Sequence, residues 1–160
     1  MGRSARKPAP VIGWREWVAL PALNIGQVKA KIDTGARSSC LHAFDVIVSK
    51  KGAYQMAHFR VFPRQDDVSR SVRCAAELRD FRWIRSSNGR REYRPVIQTS
   101  LEMGGESWPI DLTLTSRDAM GFRMLLGREA IRGRFVVDPG RSFRLERRSR
   151  PAGRIQETPP

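Results

Sequence analysis

The chain has 160 residues, 40% of them hydrophobic, and its 30 Lys and Arg against 16 Asp and Glu leave a net charge of +14. That length suits one domain with a real core rather than two. No apolar run approaches a bilayer span, no signal-peptide h-region opens the chain, and Arg6 stands where a myristoylation signal wants Ser or Thr, so a cytoplasmic protein without a membrane role is expected.

Half of the positive excess lies at the ends. Residues 1–10 carry Arg3, Arg6 and Lys7, and residues 141–160 carry six arginines against Glu146 and Glu157. Both ends are rich in Pro, Arg and Ser and are expected to be mobile, leaving residues 11–140 as the folded domain. The charge that remains favours an acidic partner, whether nucleic acid, a ribosomal surface or an acidic peptide, unless an arginine-rich proteome alone accounts for it.

In chain order, Ile12 to Leu20 reads as a strand carrying Trp14 and Trp17, interrupted by Pro21. Leu23 to Gly26 turns. Gln27 to Ile32, in which Val28-Lys29-Ala30-Lys31-Ile32 alternates, then runs into Asp33-Thr34-Gly35-Ala36. Ser39 to Val48 reads as the next strand, Lys50-Lys51-Gly52 turns it, and Tyr54 to Phe62 returns. After a polar loop from Pro63 to Ser69, Ser71 to Ile84 and Glu92 to Met103 flank Asn88-Gly89, a strong hairpin signal. Gly104-Gly105 turns into Trp108 to Thr115. Phe122 to Leu126 is followed by a single helical turn over Arg128 to Ile131, and Arg134 to Val137 closes the domain before Asp138-Pro139-Gly140. Many short strands and no long helical period predict an all-β fold, a small closed barrel.

A strand feeding a tight Asp-Thr-Gly loop holds a carboxylate rigidly at the mouth of a sheet. Gly35 would permit close backbone approach and Thr34 would hydrogen-bond back to hold the loop. The plain alternative is an Asx-type turn whose Asp caps its own loop. Cys40 and Cys74 make no disulfide framework. Cys40 and His42 would share a strand face, and with His58 or Cys74 a metal site is conceivable; buried apolar cysteines and a locally bonded His42 are the simpler reading, so no metal site is expected. No cofactor is expected either, since no phosphate loop for ATP occurs.

Asp33-Thr34-Gly35-Ala36, paired with the later apolar run Met124-Leu125-Leu126-Gly127-Arg128, resembles the active-site framework of retropepsin-like aspartic proteases. Longer segments agree. Ile12 to Val18, Lys29 to Ser39, Arg94 to Ile97, Leu112 to Phe122 and Met124 to Arg128 together resemble the bacterial ATP-dependent zinc protease family, over roughly residues 11 to 139. That family is retropepsin-like and is associated with the ATP-grasp ligase that adds glutamates to the C-terminus of a small-subunit ribosomal protein. The resemblance implies an aspartic peptidase acting on an acidic or polyglutamylated protein, with the ligase or the ribosome as further partners. Asp33 would be catalytic, Thr34 and Gly35 its loop, and Ala36, Arg37, Asn88, Gly89 and Arg128 would bind substrate. Trp83 to Tyr93 takes the place of the flap, with Asn88-Gly89 at its tip.

Only one Asp-Thr-Gly occurs, so a retropepsin-like site requires a symmetric homodimer with one Asp33 from each chain. Viral retropepsins usually carry an acidic residue where Arg37 stands, pairing with the Arg of Gly-Arg. Here Arg128 lacks that partner: it pairs elsewhere, or it and Arg37 both face an acidic substrate. Two other functions remain open, a non-catalytic peptide-binding or regulatory module of the ligase system and a nucleic-acid or ribosome binder using the basic ends.

Overall fold

Period-two alternation becomes strand burial in the computed structural model, which describes residues 7–64, 67–86, 88–116 and 121–145. In chain order the elements are β1 (Val11–Ile12), β2 (Arg15–Leu20), a 3-10 turn (Pro21–Leu23), β3 (Ile25–Asp33), β4 (Ser39–His42), β5 (Phe44–Lys51) and β6 (Tyr54–Val61). There follow β7 (Val72–Arg85), β8 (Arg91–Met103), β9 (Glu106–Thr115), β10 (Met124–Gly127), α1 (Arg128–Ile131) and β11 (Val136–Val137). The fold is mostly β with one short helix, as the sequence predicts.

Nine strands share a sheet in the order β2-β3-β10-β4-β9-β8-β7-β6-β5. β2 also reaches β8 through one residue pair, Ala19 with Glu102, which turns β2, β3, β10, β4, β9 and β8 into a ring. The predicted closed barrel is corrected here: a single pair closes the ring, and β7, β6 and β5 continue from β8 as an antiparallel arm. The ring interior is filled by Val28, Ala30, Leu41, Ile97, Leu112, Leu126 and their neighbours, all buried. Each large aliphatic side chain there contributes roughly 1.5–3 kcal/mol of transfer free energy.

Three boundaries differ from the sequence reading. The first strand breaks at Gly13-Trp14, because the chain passes Arg141 closely: a Cβ on Gly13 would stand 2.3 Å from the Arg141 carbonyl oxygen, and Trp14 N–H donates to that oxygen at 2.8 Å. The strand expected from Ser39 to Val48 breaks at Ala43, which is fully buried and donates its N–H to Thr115 O at 2.9 Å. There the chain leaves the ring, where β4 pairs with β9 and β10, and enters the arm, where β5 pairs with β6. The last strand shortens to β11 because Arg134 and Phe135 turn their N–H groups back to Ile131 O.

The domain boundary at 140 also moves. Residues 141–145 pack against β2: Phe143 N–H donates to Arg15 O at 2.9 Å, its ring stacks on Trp17, and Leu145 is buried. What holds them is Glu16, wholly buried, whose carboxylate accepts N–H groups from Gly13 (2.9 Å), Arg144 (2.7 Å) and Leu145 (3.3 Å). The expected mobile ends, residues 1–6 and 146–160, lie outside the described residues. Among the described residues no helix is long and apolar enough to cross a membrane.

Removing the Glu16 carboxylate orphans three backbone donors at once. Glu16→Ala is expected to cost about 3 kcal/mol or more in urea denaturation, and Glu16→Gln, which keeps an acceptor, distinctly less.

Candidate active site

The site is built where the chain crosses itself. β3 and β4 are consecutive in sequence, yet β10 lies between them, parallel to β3 and antiparallel to β4, with Gly127 level with Asp33. The connection from residue 34 to 38 must therefore pass over the end of β10. Gly127 takes the crossing: a Cβ there would lie 2.5 Å from Ser38 O and 2.7 Å from Arg37 O, so only glycine fits. Crossing and strand are then tied by Gly127 N–H to Ser39 Oγ (3.0 Å), Arg128 N–H to Ala36 O (2.8 Å) and Glu129 N–H to Arg37 O (3.2 Å).

Within this frame Asp33 is half-buried and its loop is closed by its own side chain. Oδ1 accepts N–H groups from Gly35 (3.1 Å) and Ala36 (3.2 Å), while the second carboxylate oxygen has no partner among the described residues. The Asx-type turn is thus real, and it occupies only one of the two carboxylate oxygens. Thr34 is exposed and its hydroxyl has no partner among the described residues, so Asp33 and not Thr34 holds the loop. A Cβ on Gly35 would meet only Asp33 Oδ1, at 3.3 Å, a tight contact that this side chain could ease by a few tenths of an ångström, with no backbone in the way.

Arg37 and Arg128 do not face each other. Arg37 Nε donates to Glu129 Oε1 at 2.7 Å, and Arg128 Nη1 donates to Gly35 O at 3.2 Å, bracing the loop from outside. Glu129 was not identified from sequence, since its nearness to Arg37 exists only once the loop has crossed β10. Its carboxyl is held below the usual glutamate range, chiefly by the hydrogen bond from Arg37.

The hairpin predicted at Trp83 to Tyr93 forms, with Trp83 opposite Tyr93 and Arg85 opposite Arg91. Gly89 sits at φ +81°, and Asn88 Oδ1 accepts the Arg90 N–H at 3.2 Å. A cleft of about 620 Å³ is lined by the loop from Gly35 to Ser38, by Arg82 to Arg85 of the hairpin, and by Asp111, Arg128 and Glu129. Asn88 and Gly89 are not on its walls, and neither is Asp33 itself. An adjoining hollow of about 410 Å³ shares Ser38, Arg82, Asp111 and Glu129 and adds Arg132 and Arg134. Arg82 pairs with Asp111 at 3.1 Å; Arg85, Arg128, Arg132 and Arg134 have no carboxylate partner among the described residues.

Zinc does not fit these residues. Among the described residues no three His, Cys, Asp or Glu side chains gather as a metal site. Burial pushes both thiols up to about 11, and the ring nitrogens of His42 already meet Ser116 O (3.1 Å) and Arg123 Nη1 (3.1 Å).

A ring of strands with an Asp-Thr-Gly loop braced by Gly-Arg, and a hairpin bordering the same cleft, is the arrangement of the retropepsin-like class. The family model for the retropepsin-like aspartic endopeptidase RimB matches residues 11–148, and the chain belongs to this RimB-like family. It is 45% identical over 135 residues to a protein of Parasynechococcus marenigrum named probable alpha-L-glutamate ligase, covering 84% of this chain and 29% of that one. A Shewanella pealeana protein of the same name is 44% identical, with 84% and 30% covered. The chain thus spans less than a third of these curated relatives. A crystal structure of a Legionella pneumophila protein of unknown function, Lpg0085, superposes with a TM-score of 0.70 at 26% identity, covering 85% of this chain and 98% of that one.

Two outcomes test this geometry. Gly127→Ala should destabilise the fold by about 1–3 kcal/mol in chemical denaturation, whereas Gly35→Ala should cost well under that. Because Glu129 has a lower carboxyl pKa folded than unfolded, its pairing contributes above the unfolded value and is lost as pH falls through the folded one. By NMR titration, Arg37→Ala should move the Glu129 carboxyl back up.

Proposed function

We propose that the protein is an aspartic peptidase, active as a homodimer in which each chain supplies one Asp33, acting on an acidic or glutamylated protein. The observation that carries this reading is the Asp33 carboxylate, with Oδ1 fixed by its loop and the other oxygen uncommitted. In one chain Asp33 stands off the cleft wall; a two-fold partner would face it with its twin. Two carboxylates at contact cannot both ionise, so the pair holds one proton: one acts as base on the attacking water, the other as acid to the peptide.

The substrate class follows from charge. Six arginines line the cleft and the adjoining hollow against Asp111 and Glu129, an excess that suits carboxylate side chains. A second reading is favoured by the relatives named as glutamate ligases, in which the matching region is under a third of a longer chain. On that reading the domain binds or regulates the ligase without cleaving.

Asp33→Asn should abolish cleavage of a glutamate-rich protein while leaving folding and dimerisation intact. In the dissociating concentration range wild-type activity should rise more steeply than protein concentration. Full cleavage by Asp33→Asn would rule out the aspartic mechanism; absence of cleavage by wild type, with tight binding to the ligase, would select the second reading.

A further inference from the structure

The β7–β8 hairpin has two unlike faces. Its register places Phe81, Trp83 and Arg85 opposite Pro95, Tyr93 and Arg91, and since side chains alternate these six share one face. On the other face Arg82, Ile84, Glu92 and Arg94 are half-buried or buried; Arg82 is bonded to Asp111 and Arg94 to Glu92. The first face is left outward. Trp83 is 60% exposed and Tyr93 55%, the reverse of what large aromatic rings adopt without a reason.

The rings are ordered among themselves. Tyr93 stacks on Phe81 with centroids 5.2 Å apart and an interplanar angle of 17°, and Trp83 lies 5.0 Å from Tyr93 at 41°. The Arg91 guanidinium sits 5.1 Å from the centre of the Trp83 ring. At its Phe81 end the face borders a hollow that Asp45 and Glu92 also line, while Arg85 and Arg91 stand opposite each other where the aromatic pair ends, with Arg90 next in the chain.

We propose that this face, which borders the candidate cleft at Trp83 and Arg85, is a stacking platform for single-stranded nucleic acid, a binding activity additional to peptide hydrolysis. Exposed rings offer π-faces to unpaired bases, and the neighbouring guanidinium groups meet the phosphates. An acidic peptide would satisfy the arginines but leave the rings uncovered. A second copy of the same face would set Arg85 and Arg91 against their like.

The test is the anisotropy of a labelled oligouridine with the full chain, as a function of salt. Trp83→Ala and Tyr93→Ala should each weaken binding about 5- to 100-fold, and Trp83→Phe should retain most of it. Arg85→Gln with Arg91→Gln should lower the salt dependence. Circular dichroism confirms folding, which substitution of exposed rings leaves intact. The proposal is overturned if all these variants bind like wild type, which would place binding on the basic ends. It is equally overturned if duplex binds as tightly as single strand, or if Trp83→Ala weakens polyglutamate binding rather than oligouridine binding.

Discussion

The passage of residues 34–38 over the end of β10 is the constraint on which the site depends. A strand inserted between two strands consecutive in sequence forces their connection to cross it, and the crossing is tight enough to admit only Gly127. The same crossing brings Arg128 beneath the loop and Glu129 beside Arg37. The carboxylate of Asp33 is therefore positioned by backbone sterics and main-chain hydrogen bonds rather than by a deep pocket. Such a site is rigid and shallow.

The ring and its closure are held differently. One residue pair joins β2 to β8, and the strap from 141 to 145 is drawn onto β2 by the buried Glu16 carboxylate. A buried charge is tolerated when backbone donors surround it, and here three of them come from both ends of the domain. Glu16 thus links the entry and exit of the chain, and its burial makes the packed domain longer than composition suggests.

Much of this was legible. Alternation at Val28 to Ile32, the Asn88-Gly89 turn and the apolar run before Gly127-Arg128 are local signals, and the strands, the hairpin and the short helix stand where they indicate. Apart from the last strand, which Ile131 O shortens locally, the misplaced boundaries share one cause. Gly13, Ala43 and residues 141–145 change course because of contacts with Arg141, Thr115 and Glu16, far away in the chain, and no local pattern carries them. Arg37 shows the same limit: read alone it is a cation beside the Asp-Thr-Gly loop with no visible partner, and its partner Glu129 is 92 residues away.

By itself the sequence determined the all-β character, the Asp-Thr-Gly loop at a strand end and the family, because these rest on residue types and short spacings. Only the tertiary structure decided that one pair closes the ring, that Asp33 and not Thr34 closes the loop, and that Trp83 and Tyr93 stand together in solvent. The first and last of these depend on register between distant strands, whereas the loop closure is a contact over two and three residues. A one-residue shift would turn every side chain to the opposite face, and that register is set by packing the whole ring at once.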